Sequence, residues 1–126
     1  MATIKAYTDL QQSKKLAEIL PLESADMTWV SNGLGKPFAR TIPIKGDPEE
    51  LCGCWSLAAL LEQFPYELCD DDGNSYYLKI NKDDDLYQLE YVDPYEDFCS
   101  IETDSYEHFV DACYEMIIRL NELKML

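Results

Sequence analysis

The chain has 126 residues and a formal net charge of −15 at pH 7, with a pI near 4.1. Because so negative a surface repels phosphate backbones and anionic lipids, the composition excludes direct binding to nucleic acid or to a membrane. A hydrophobic content of 47% excludes a disordered chain and, at this length, predicts one domain spanning residues 1–126.

The first predicted element is a helix from Asp9 to Leu20, where apolar residues recur with helical spacing. Thr8 and Gln11 have the spacing of a capping box at its start. Pro21 ends the helix, because proline interrupts the backbone hydrogen-bond ladder.

Residues 21–50 carry weaker signals, and we expect two short strands there, over 27–31 and 38–44. Residues 46–50 predict a turn that leads into a second helix. That helix is predicted from Trp55 to Phe64, and its almost entirely apolar composition predicts that it is buried.

From Tyr66 onwards the apolar residues alternate, which predicts strands. We expect three strands at 66–70, 75–81 and 86–92, and a fourth near 98–102. The connections between the first three are short and rich in turn residues, so antiparallel hairpins follow, with Gly73 supplying a positive φ.

The strongest pattern is an apolar stripe that predicts a helix from Asp104 to Leu126, with Tyr106 on the stripe and Asp104 and Glu107 as its cap. Such a helix needs a sheet to cover it. The predicted fold class is therefore α+β, an antiparallel sheet of three to five strands packed by a long C-terminal helix and one or two shorter helices. The predicted core consists of Leu16, Ile19, Leu57, Leu61, Phe64, Leu78, Ile80, Leu89, Phe109, Cys113, Ile117 and Leu120.

Five cysteines are present, at positions 52, 54, 69, 99 and 113. An odd number, after an N-terminus that lacks an apolar signal core, predicts free thiols in the cytoplasm. Cys52 and Cys54 form an isolated C-x-C pair, whereas a structural zinc site needs four ligands. No metal and no cofactor are therefore expected.

An enzymatic alternative rests on Cys54 and His108, the one histidine of the sequence. Around Cys54, the sequence Gly-Cys-Trp loosely resembles the segment around the catalytic cysteine of papain-like proteases, which has one more residue between its two cysteines. A position at the start of the second helix would lower the thiol pKa, and His108 would act as general base. We favour the other interpretation, in which Cys54 and Trp55 are buried packing residues.

The negative charge is concentrated between Glu67 and Glu107, where 14 acidic residues face only Lys79 and Lys82. Solvated hairpin tips explain such a segment, and so does an acidic face that binds a basic protein or imitates nucleic acid. The candidate interaction surface consists of Asp70, Asp71, Asp72, Asp83, Asp84, Asp85, Asp93, Glu96 and Asp97.

Three runs of the sequence carry a family resemblance: SKKLAEILPLESADM (13–27), CWSLAALLE (54–62) and VDACYEMIIRLNEL (110–123). They resemble segments of a group of small acidic proteins from anaerobic gut bacteria and their mobile elements, a group without an assigned function. The resemblance implies no catalytic residue.

The sequence thus predicts a non-enzymatic protein-interaction or regulatory module of the cytoplasm, whose partner has a basic surface. Two alternatives stay open. One is the cysteine-dependent hydrolase, and the other is a nucleic-acid mimic that inhibits a DNA-binding protein.

Overall fold

Two antiparallel sheets and three α-helices form the part of the chain described by this computed structural model, residues 4–31, 36–41, 50–93, 95 and 98–126. The predicted α+β fold is confirmed. The helices are α1 (Leu10–Ala17), α2 (Leu57–Leu61) and α3 (Phe109–Glu122). The strands are β1 (Met27–Val30), β2 (Phe38–Thr41), β3 (Glu50–Cys54), β4 (Glu67–Cys69), β5 (Ser75–Asp83), β6 (Leu86–Asp93) and β7 (Phe98–Glu102).

The larger sheet has the order β4-β5-β6-β7, and each strand pairs antiparallel with the next along the chain. This confirms the predicted hairpins. One face of the sheet is buried, and its fully or almost fully buried side chains are Leu68, Tyr76, Leu89, Tyr91 and Ile101. The prediction that Ile80 belongs to the core is wrong, because it is 46% exposed near the β5–β6 turn, where the hairpin extends past the core.

The smaller sheet has the order β2-β1-β3 and includes a strand that the sequence pattern missed. Residues 42–49 lie outside the described part, and Glu50–Cys54 is a strand rather than the start of a helix. Its Cys54 pairs with Met27 of β1. A Cβ atom on Gly53 would lie 3.0 Å from the Cβ of Ala25, so a glycine permits this close approach.

The N-terminal segment, residues 4–9, forms an isolated antiparallel bridge just after β3, in which the Thr8 amide donates to Trp55 O at 3.0 Å. The Thr8 hydroxyl lies 2.7 Å from the Ser13 hydroxyl, in a fully buried contact. Thr8 is therefore committed to the interior, which is why the predicted Thr8–Gln11 capping box is wrong. The box is formed one residue later by Asp9 and Gln12, and α1 ends at Ala17.

The second helix is also shorter than predicted. Its N-cap is Ser56, whose hydroxyl accepts a hydrogen bond from the amide of Ala59, so α2 begins at Leu57 rather than at Trp55. Trp55 is fully buried between the strand and the helix.

The C-terminal helix begins later than predicted, and the expected cap of Asp104 and Glu107 is wrong. His108 is the N-cap, without a side-chain capping bond. The preceding segment is extended, because Tyr106 exchanges two backbone hydrogen bonds of 2.7 and 2.8 Å with Tyr87 of β6. Tyr106 thus pairs with the sheet and does not belong to the helical stripe.

Glu115 of α3 ties this extended segment to the helix. Its carboxylate accepts from Arg119 Nε and Nη2 at 3.1 and 2.8 Å and from the amide of Asp104 at 3.3 Å. Burial opposes ionisation of Glu115, but hydrogen bonds from Tyr106 and Arg119 outweigh it and hold the Glu115 pKa below its ordinary value. The same contact raises the pKa of Tyr106 to about 12.

The core lies where α3 packs on β6 and on α2. Six residues of α3 are buried: Val110, Ala112, Cys113, Met116, Ile117 and Leu120. Leu16 of α1, Leu60 of α2 and Leu89 of β6 belong to the same buried cluster. Among the described helices, none combines the length and the apolar character needed to cross a bilayer.

Asp111 joins three parts of the fold at the first turn of α3. Its Oδ1 atom lies 2.6 Å from Lys5 Nζ in the N-terminal segment and 2.8 Å from Gln12 Nε2 in α1. Burial disfavours the charged form of Lys5, but hydrogen bonds to Asp111 and Asp9 outweigh that effect and raise the Lys5 pKa. We infer that this network fixes the N-terminal segment and α1 against α3.

Replacing Asp111 with Ala is expected to lower the free energy of unfolding by about 1–2 kcal/mol, because Lys5 and Gln12 lose a shared acceptor. Urea denaturation followed by circular dichroism measures the loss. Glu122→Ala, an exposed position of the same helix, is the control and should change stability by less than about 0.5 kcal/mol. Equal effects of the two substitutions would contradict the role assigned to Asp111.

Glu115→Gln should destabilise the protein at pH 7 by roughly 1 kcal/mol, and this deficit should shrink in acid. Because the folded-state pKa of Glu115 is lowered, its stabilising contribution is present above its ordinary pKa of 4.5 and disappears as the pH falls through the folded value. Urea denaturation at pH 7, 5 and 3.5 measures both proteins. A deficit that stays constant down to pH 3.5 would refute the ionic contact.

Candidate interaction surface

The structure divides the acidic residues of the candidate surface into two groups at opposite ends of the larger sheet. Asp70–Asp72 in the β4–β5 turn share one end with Asp93, whereas Asp83–Asp85 lie at the β5–β6 turn. β5 has nine residues, so at 3.3 Å per residue the ends are roughly 25–30 Å apart. Glu96 and Asp97 lie outside the described residues.

Asp70 closes the β4–β5 turn in its ionised form. Its carboxylate accepts from the amides of Asp72 and Asn74, both at 2.9 Å, and from the Tyr76 hydroxyl at 3.0 Å. These hydrogen bonds hold the pKa of Asp70 below its ordinary value, and the bond from the Asn74 amide has the largest effect. Accepting a hydrogen bond from Tyr76, Asp70 in turn raises the pKa of the Tyr76 hydroxyl. Gly73 has a φ of +84°, which confirms its predicted role in the turn.

Three tyrosines lie close together at this end of the sheet, near Glu67: Tyr66, Tyr77 and Tyr95. Tyr66 is 78% exposed and Tyr95 is 94% exposed. The Tyr66 and Tyr77 rings meet edge-on, with 5.4 Å between their centroids. The Glu67 carboxylate, burial, and the neighbouring Tyr66 and Tyr95 together raise the pKa of Tyr77. The tyrosines and Glu67 are therefore close neighbours.

Glu67 points to the same side of the sheet as Tyr77, which is its partner in the β4–β5 register. Its Oε1 atom accepts from the Ser75 hydroxyl at 2.6 Å and lies 3.6 Å from Cys69 Sγ. We call this end of the larger sheet, at the β4–β5 turn, the tyrosine–carboxylate patch. Its members are Tyr66, Glu67, Asp70, Asp71, Asp72, Tyr77, Asp93 and Tyr95.

The patch has the chemistry to hold a cationic side chain of another protein. Aromatic faces attract cations through their quadrupole, and carboxylates accept hydrogen bonds from ammonium and guanidinium groups. Tyrosine is also among the residue types that contribute most to protein interfaces.

The opposite end of the sheet is electrostatically different. A cleft of about 360 Å³ lies there between the N-terminal segment, the β5–β6 hairpin and the start of α3. Its lining includes His108, Lys5 and Lys82 together with Asp85 and Glu107. Two lysines balance two carboxylates, so this cleft lacks the strong negative charge of the tyrosine–carboxylate patch.

Cys54 lies at the end of β3, so the prediction that it starts a helix is wrong. The residue is fully buried, and its Sγ atom lies 3.7 Å from Thr8 Oγ1 and donates to Thr8 O at 3.5 Å. Burial raises the pKa of the Cys54 thiol, which is the opposite of the shift that activates a nucleophilic cysteine.

His108 is half-buried in the wall of the cleft between the N-terminal segment and α3. Cys54 is not among the described residues that line that cleft. The two residues of the hydrolase hypothesis therefore lie in different surroundings, and the hypothesis stays a prediction that gains no support from the geometry.

The tyrosines of the patch were not singled out from the sequence. Tyr66 and Tyr77 lie within the predicted strands 66–70 and 75–81, where aromatic residues are most often packed on a sheet face. Their one recognisable signal is the neighbourhood of Glu67 and Asp70–Asp72, since aromatic residues next to carboxylates at a hairpin end are typical of exposed positions.

Comparison of the chain with protein-family models, with curated proteins and with solved structures gives no match. The resemblance to small acidic proteins of gut bacteria stays a prediction.

Thiol labelling of the native protein should distinguish the cysteines. We expect iodoacetamide to modify exposed Cys69 quickly, whereas Cys54 and Cys113 should react only after unfolding, since both are fully buried. Burial also raises the pKa of Cys113 to about 12. Peptide mass spectrometry, with a urea-unfolded sample as control, follows each site. Rapid labelling of Cys54 in the folded protein would contradict its burial and would support the hydrolase hypothesis.

Proposed function

We propose that the chain is a non-enzymatic protein-interaction module of the cytoplasm, which binds a partner with a basic surface through the tyrosine–carboxylate patch. The observation that carries the proposal is the pair of exposed rings, Tyr66 and Tyr95, which lie with Tyr77 and the Glu67 carboxylate at one end of the sheet. Cys54, Cys69 and Cys113 are free thiols, which supports a reducing compartment.

Electrostatics favour a basic partner on two scales. The net charge of −15 accelerates the approach of a positively charged protein from a distance, within the range that salt allows. At contact, the tyrosine rings supply apolar area that charge alone does not provide. Tyr66 and Tyr77 already pack against each other, which limits the conformational freedom that binding would remove.

The two alternatives receive less support. A mimic of duplex nucleic acid needs a continuous array of carboxylates, whereas Asp70–Asp72 and Asp83–Asp85 lie at opposite ends of β5. A cysteine-dependent hydrolase needs an accessible thiolate, whereas Cys54 is fully buried. Both stay predictions.

Affinity purification with matched variants tests the proposal. The patch variant carries Glu67→Gln, Asp71→Asn and Asp72→Asn, and the control carries Asp83→Asn, Asp84→Asn and Asp85→Asn. Each set removes three negative charges, but only the first set lies in the patch. Asp70 is left intact, because it closes the β4–β5 turn.

We expect wild type and control to retain the same basic protein from a lysate of the native host, and the patch variant to retain at least fivefold less. Quantitative mass spectrometry at two salt concentrations measures retention, and circular dichroism confirms that both variants fold. If the two variants lose retention of the basic protein equally, overall charge explains the binding and the patch does not. If no basic protein is specifically retained, the proposal is contradicted.

A further inference from the structure

A cavity of about 490 Å³ adjoins the patch, between β4 and the end of α3. One part of its lining is apolar and consists of Pro65, Leu68, Leu123 and Met125. Another part is acidic and consists of Glu67, Asp70 and Asp71. Among the described residues that line the cavity, Lys124 is the only cation. The cavity thus combines an apolar wall with a negative one.

The turn that ends α3 sets the apolar wall in place. Lys124 has a φ of +58° and its amide donates to Asn121 O at 3.1 Å, while the amide of Met125 donates to Leu120 O at 2.9 Å. This pair of hydrogen bonds is the Schellman arrangement, which fixes the chain direction after a helix. Met125 packs against the core as a result, so the wall exists before any partner binds.

The acidic wall has capacity for further donors. At Glu67, the described residues occupy only Oε1, through Ser75 and Cys69, and leave Oε2 open. Asp71 is exposed at the adjoining turn. Asp70, by contrast, uses both carboxylate oxygens within the turn and contributes its charge.

We propose that this cavity seats an arginine side chain of the basic partner, an inference that rests on the proposed function and narrows it. The planar guanidinium donates to the carboxylates of Glu67 and Asp71, and its methylene groups lie on the apolar wall. Tyr66 is not among the described lining residues, but it lies between Pro65 and Glu67 in the chain, and its exposed ring is available to a cation at the rim of the cavity. A lysine ammonium lacks the planar fork that bridges two acceptors.

Fluorescence anisotropy with labelled hexa-arginine and hexa-lysine peptides tests the inference, because the two peptides have equal charge. In about 0.15 M salt, where long-range attraction is screened, we expect wild type to bind hexa-arginine about fivefold more tightly than hexa-lysine. Glu67→Gln should abolish this preference. Asp83→Asn removes the same charge at the other end of the sheet and should weaken both peptides equally. Tyr66→Ala, at a mostly exposed side chain, provides a second patch variant.

Three outcomes would overturn the arginine site. Equal binding of the two peptides to wild type would contradict the arginine site but would remain compatible with a basic partner. Arginine preference that survives both Glu67→Gln and Tyr66→Ala would place the preference elsewhere on the protein. Binding of neither peptide would overturn the proposed basic partner as well. Loss of the preference in both patch variants, with its retention in Asp83→Asn, would support the site.

Discussion

The fold depends on covering the apolar face of α3. Four large side chains of that helix are completely buried, Val110, Met116, Ile117 and Leu120, and each contributes about 1.5–3 kcal/mol by leaving water. None of the ion pairs between described residues approaches that sum. The contacts of Asp111 and Glu115 therefore orient the helix and the segments around it, whereas hydrophobic burial supplies the driving force.

This division explains which parts of the fold were predictable. Alternation of apolar residues identified β5 and β6, and helical spacing identified α3, because both patterns directly reflect one buried face. The helix start was wrong because Tyr106 pairs with Tyr87, a contact between distant residues that local spacing does not encode. The strand β3 was missed because its pairing with β1 was likewise not visible in the local pattern.

The candidate site was predictable in charge but not in shape. The excess of Asp and Glu after residue 67 is evident in the sequence, yet the meander sends successive turns to opposite ends of the sheet, which separates Asp70–Asp72 from Asp83–Asp85. Tyr66 and Tyr95 are exposed because they lie where the sheet ends, and the residue types alone do not specify where it ends. The burial of Cys54 was likewise not readable from local sequence, because it depends on a contact with the distant residue Thr8.

The placement of the acidic residues has a consequence for self-association. Among the described strands, β4 lies at one edge of the larger sheet, and a second copy of the chain would be able to pair its own β4 with it and form a dimer. The strand has only three residues, and an antiparallel pairing of the two β4 strands would bring Glu67, Asp70 and Asp71 of one copy close to those of the other. Mutual repulsion of these carboxylates opposes such a dimer at neutral pH. The same side chains that attract a basic protein thereby keep identical copies apart.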